Sequence, residues 1–148
     1  PPKFTPHPKT GERALEHVFW LTAGHASEPG VWYVGFPIVV HPRDPDTAWV
    51  FPMDGTEVWP RTSPEGKPAV YMTRNAGESW KRLDAGFPRA QSYLTVKRQC
   101  MTADDSDPVG VYLGTTSGDV WASRTEGARW ERIAESLPSV TSVVATRA

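Results

Sequence analysis

Short apolar runs recur along the chain, and Pro, Gly, Asp or Asn bound almost all of them. Many are β-branched or aromatic, as in Val31–Val34 and Ala48–Phe51. This pattern predicts strands separated by turns. The expected strands are His17–Thr22, Val31–Val34, Pro37–His41, Ala48–Phe51, Ala69–Thr73, Ser79–Leu83, Tyr93–Arg98, Gly110–Gly114, Asp119–Ser123, Arg129–Ile133 and Thr141–Ala145. Only Gly11–His17 looks helical, and it is too short to hold a helix alone.

The runs repeat. Thr73-Arg74-Asn75-Ala76-Gly77-Glu78-Ser79-Trp80 lies over Ser123-Arg124-Thr125-Glu126-Gly127-Ala128-Arg129-Trp130, with every pair 50 residues apart. The match continues on both sides, through Val70 and Val120, Tyr71 and Trp121, Arg82 and Arg132, and Pro88 and Pro138. A period of this size points to a propeller blade or a solenoid turn. Acidic, Pro-containing turns precede three of the strands, at His25–Pro29, His41–Asp46 and Asp104–Pro108. Pro fixes φ there, and the carboxylates bond the local backbone. Each unit therefore reads as a four-stranded antiparallel meander, which is the form of a propeller blade.

Composition narrows the classes. The chain of 148 residues has 15 Pro and 12 Gly, too many for long helices. A net charge of −1 with scattered arginines argues against nucleic acid as a partner. No run is long and apolar enough for a transmembrane helix, so no membrane partner is expected. The single Cys100 allows no intrachain disulfide and no Cys-based zinc site. His7, His17, His25 and His41 lack ligand spacing, and Asp104-Asp105-Ser106-Asp107 lacks the Gly and Glu of a calcium loop. No metal or cofactor is expected. The chain as given shows no signal peptide, and the reading leans to the cytoplasm.

The pattern Ser/Thr-x-Asp/Asn-x-Gly-x-x-Trp resembles the Asp-box, or BNR repeat, of sialidase-like β-propellers of the WD40/YVTN/BNR type. Thr73, Asn75, Gly77 and Trp80 fit it. Ser123, Thr125, Gly127 and Trp130 fit it with Thr125 in the acidic place. A short acceptor at the third position bonds backbone N–H groups of the turn. The Gly permits positive φ, and the Trp packs between elements. Trp80 and Trp130 are thus expected to be mostly buried, and the Thr125 turn to be the looser one. The resemblance covers 36–148, and Glu16–Gly35 is similar to an early blade of the same group. The resemblance implies that several middle blades of that group are missing at the Gly35/Phe36 junction, through a natural deletion, engineering or an incomplete sequence.

The resemblance implies three arginines on a carboxylate, a Tyr–Glu pair and an acidic proton donor if the chain were a sialidase. No arginine here stands in an Arg-Ile-Pro motif, so no catalytic residue carries over. The better lead is a loop. Trp49 to Tyr71 spans 22 residues, against 9 from Tyr112 to Trp121, and the excess of 13 falls in 53–68. Asp54, Glu57, Trp59 and Arg61 in it suit a sugar or peptide ligand. The plain alternative is a solvated loop whose Trp59 covers the sheet.

The expected organisation is an extended arm at 1–12, a partial blade at 13–35, an Asp-box blade at 36–88 carrying the loop, a second Asp-box blade at 89–138, and a closing strand at 139–148. About three blades cannot surround an axis alone, since propellers need about four to eight. A homo-oligomer, with a dimer favoured, would complete the ring. The functional expectation is a non-catalytic binding or scaffold module with a glycan or protein ligand. The alternative is a sialidase-like glycoside hydrolase, or a remnant of one, with its site in the propeller funnel.

Overall fold

The structure is a computed structural model that describes residues 37–54 and 61–146, together with the backbone pairing of two earlier strands. Among the described residues it is all-β, with one short 3-10 turn at Pro64–Gly66 and no α-helix. Strands β1 (Leu21–Ala23) and β2 (Trp32–Val34) form a two-stranded antiparallel sheet. A four-stranded sheet follows, from β3 (Ile38–Val40), β4 (Ala48–Val50), β5 (Val70–Thr73) and β6 (Lys81–Leu83). A second comprises β7 (Met101–Ala103), β8 (Val111–Gly114), β9 (Val120–Ser123) and β10 (Glu131–Ala134). Both are antiparallel, with strands paired in chain order.

The registers reproduce the sequence repeat. Trp49 pairs with Met72 in the first sheet, and Tyr112 pairs with Ala122 in the second. Tyr71 pairs with Arg82, and Trp121 with Arg132. Each arginine lies 5.9 Å from the ring of its aromatic partner. The third and fourth strands correspond at an offset of 50 as far as Arg82 and Arg132; past Arg132 a bulge shifts the second sheet, where Ala134 pairs with Val120 while Leu83 pairs with Val70. The first two correspond at 63, because the 13-residue insertion separates them.

Alternation decides which face is buried. Trp49, Val70, Met72 and Leu83 turn to the second sheet, which offers Met101, Val111, Leu113 and Trp121 in return. Phe87, on the linker between the sheets, stacks on Trp130 at 5.1 Å and reaches Trp121 at 4.9 Å. Complete burial of side chains like these is worth about 1.5–3 kcal/mol each. On the other face of the first sheet, Ile38 and Ala48 form a smaller apolar cluster. β1 lies beside β3, and β3 beside β7, so the first strands of the three sheets are neighbours.

Two expected strands carry no ladder. Tyr93–Arg98 does alternate, with Leu94 and Val96 buried and Tyr93 exposed. Its backbone bonds go to loops instead. Leu94 O accepts from Ser63 N, and Thr95 O accepts from Thr116 N. The first strand of the second sheet is Met101–Ala103, after a turn in which Cys100 N donates to Lys97 O. Thr141–Ala145, 50 residues after Gln91–Thr95, behaves likewise. There Val140 N donates to Thr115 O and Val143 N to Gln99 O.

Candidate functional site

The two repeat turns are built alike. Thr73 Oγ1 accepts from Gly77 N at 2.9 Å, and Ser123 Oγ accepts from Gly127 N at 2.9 Å. Asn75 Oδ1 accepts from Ser79 N at 2.9 Å, and Thr125 Oγ1 accepts from Arg129 N at 3.1 Å. Gly77 and Gly127 have φ of 93° and 88°. The Thr125 hydroxyl reaches the same N–H as Asn75, at 3.1 Å in place of 2.9 Å, but its turn has no counterpart to the bond that Asn75 Nδ2 donates to Ser79 Oγ at 2.9 Å, so it is the less tied of the two. Ala76 and Glu126, ahead of the glycines, also take positive φ, at 54° and 53°, which neither residue type signals.

The tryptophans diverge. Trp130 is 2% exposed, covered by Phe87 and the linker, where Ala85 O accepts from Trp130 N at 2.8 Å. Trp80 is 39% exposed, which corrects the expectation that both are buried. It lies back over its own turn, near Gly77, and no described linker crosses it.

At this end of the sheets, the first sheet grips the second. Trp49 Nε1 donates to Glu126 O at 3.0 Å, and Arg74 pairs with the Glu126 carboxylate. Arg43 donates to Asp105 O at 2.6 Å and to Ser106 O at 2.8 Å. His41 stacks on Trp49 at 5.6 Å, and its Nδ1 accepts from Arg43 N at 3.0 Å. Burial pushes its imidazole below the usual 6.5, against the opposite pull of Glu126 and Asp44. In the second sheet Asp104 occupies the equivalent place, and its Oδ1 accepts from Ser106 N at 3.0 Å. Burial raises the Asp104 carboxyl, but bonds from Gly110 N, Tyr112 and Ser106 outweigh it and leave the pKa below the usual value. Its oxygens thus serve the turn. No cluster of three or more metal-ligating side chains occurs among the described residues. Cys100 is buried, desolvation raises its thiol pKa, and Sγ donates to Val140 O at 3.3 Å.

The inserted loop lies at the opposite end, between β4 and β5. Its neck is closed by Asp54 N donating to Thr62 O at 2.7 Å. This brings the positions of Asp54 and Arg61 together at the neck. Glu57 and Trp59 lie outside the described residues. The returning limb is tied down. Buried Ser63 donates to Ser92 O at 2.8 Å and accepts from Leu94 N at 2.9 Å. Thr95 Oγ1 donates to Arg61 O at 2.7 Å, and Ser92 N to Gly66 O at 2.9 Å. The limb therefore joins the lead-in to the second sheet. A shallow crevice beside the loop exit is lined by Lys67, Arg82, Asp84 and Arg89. The Arg82 guanidinium there is committed to Asp84, Tyr71 and Lys67 O.

No described helix is long and apolar enough to cross a membrane. No protein-family model matches the chain, and no curated protein matches it.

Proposed function

We propose that the chain is a non-catalytic BNR-repeat β-propeller module whose two four-stranded sheets are blades. Its loop at 53–68 is the binding surface, for a glycan or protein ligand. The observation that carries the reading is the repeat at hydrogen-bond level, in which the first and third positions of both turns accept from the same backbone N–H groups, on sheets whose second and third strands pair in the same register. Neighbouring first strands are what blades around one axis require.

The arginines weigh against the hydrolase alternative. Sialidase-type chemistry needs guanidinium groups converging on a carboxylate. Here Arg43, Arg74, Arg82 and Arg132 are engaged with carbonyls, acids and rings of the sheets themselves. The ligand reading rests on Trp59 and Arg61, with Asp54 and Glu57, on the inserted loop. The test is a glycan array run beside a panel of chromogenic glycosides. The expected result is binding without turnover, lost in Trp59→Ala and Arg61→Ala. Turnover of any glycoside, or binding indifferent to both substitutions, overturns it.

A further inference from the structure

The two sheets surround the same arginine with different charges. Arg132, opposite Trp121, has two acids beside it, Asp119 at 3.6 Å and Glu135 at 2.7 Å. Arg82, opposite Tyr71 at the same ladder position, has one, Asp84 at 2.9 Å. Ahead of the third strand the second sheet carries Ser117 and Asp119, where the first carries Lys67 and Ala69. The arginine is thus neutralised in one sheet and joined by a further cation in the other. A crevice of about 150 Å³ opens there, and its lining includes Lys67, Pro68, Arg82, Asp84, Phe87 and Arg89. Pro68 and Phe87 are buried, while the three cations are exposed. Three cations therefore face one carboxylate. Arg89 makes no ion pair among the described residues, whose pairs here are Lys67 with Glu65 and Arg82 with Asp84. The Lys67–Glu65 pair is a surface contact, with the Glu65 side chain 76% exposed, and pairs of that kind hold weakly.

We propose that this crevice binds a phosphate group. Arg82 is held for the task. It donates from Nε to Asp84 Oδ2 at 2.9 Å, from Nη1 to Tyr71 Oη at 3.2 Å and from Nη2 to Lys67 O at 3.1 Å. A guanidinium has a second N–H on each terminal nitrogen, so Nη1 and Nη2 each keep one to give. A planar fork fixed in this way suits an oxyanion, and Lys67 and Arg89 add point charge beside it. A phosphate monoester carries nearly two negative charges at neutral pH. That matches the excess of cations over Asp84, whereas a carboxylate would leave one cation unmatched. The Lys67 ammonium exchanges the exposed Glu65 for the phosphate when the site fills. Nothing in the crevice belongs to the 53–62 part of the loop, so the site stands apart from the glycan or protein reading.

The test is a titration of the nitrogen-15-labelled chain with inorganic phosphate at fixed ionic strength, read from amide NMR shifts. Saturable shifts confined to 67–69 and 82–90 are expected. Arg89→Ala and Lys67→Ser change exposed side chains, and the second puts in the residue that the other sheet has at that place. Each is expected to weaken phosphate about tenfold, as loss of a charge-assisted bond does, with an unchanged far-ultraviolet circular dichroism spectrum. Arg129→Gln, exposed in the turn of the second sheet, is expected to leave binding as it was. Acetate, with one charge, is expected to bind about tenfold more weakly than phosphate. A phosphoserine peptide and its unphosphorylated twin distinguish the source. Tighter binding of the phosphopeptide than of phosphate assigns the site to a phosphorylated protein segment, and equal binding assigns it to the free anion. Shifts that spread over the surface without saturating overturn the proposal. So do acetate binding as tightly as phosphate, and phosphate binding indifferent to both Arg89→Ala and Lys67→Ser.

Discussion

Equivalent residues of the two repeats differ in cost because they differ in cover. Trp130→Ala removes a buried ring and is expected to cost about 3–5 kcal/mol. Trp80→Ala, at a site 39% exposed, is expected to cost about 1 kcal/mol, near the average for point changes. Urea unfolding of both variants checks this, and equal losses would contradict it. The glycines offer a second contrast. A Cβ on Gly77 would meet only Trp80 Cζ2 at 3.8 Å, whereas on Gly127 it would lie 2.7 Å from Leu83 Cδ1. Gly77→Ala is expected to cost about 1–2 kcal/mol for its left-handed backbone. Gly127→Ala adds about 1–3 kcal/mol of overpacking. Matched melting curves read the difference, and a Gly77 variant that melts lower than the Gly127 variant would refute it. The residue types of the turns were legible in the sequence. The difference in burial was not, since it depends on which linker crosses which Trp.

The joint between the sheets has a pH dependence that follows from His41. Its Nδ1 accepts from Arg43 N, which requires the unprotonated ring. Its folded pKa lies below 6.5. The folded state therefore binds fewer protons than the unfolded chain below that value. The stability from neutral His41 is present above pH 6.5 and is lost as pH falls through the folded pKa. Asp104 performs the same turn bond through an oxygen, so His41→Asn is expected to keep the bond and flatten this part of the pH profile. Urea midpoints from pH 8 to pH 5 for both proteins check it. An equally steep loss in the variant would show that His41 is not the group. Among elements, the strands of the 50-residue repeat were legible because the Gly turn and the Trp mark their register. Tyr93–Arg98 misled because its alternation is real: Leu94 and Val96 are buried, but the backbone partners are Ser63 and Thr116. Alternation reports burial, and it does not report what the backbone bonds to.

Across the molecule, the candidate site was legible only as an excess of loop length. Its anchoring through Ser63, Arg61 O and Gly66 O to the 91–95 run was not, because those bonds join residues about 30 positions apart through backbone groups that carry no sequence signal. The grip of Trp49, Arg43 and Arg74 on the second sheet was equally silent, since each partner is a carbonyl or an ordinary surface acid. Together these contacts hold the two four-stranded sheets as stacked equivalents of one another. A crystal structure of the chain tests this stacking most directly. The predicted result has β3 beside β7, Trp49 Nε1 bonded to Glu126 O, and Phe87 packed on Trp121 and Trp130. A structure in which the two four-stranded sheets do not pack on each other through Trp49, Leu113 and Trp121 would contradict it.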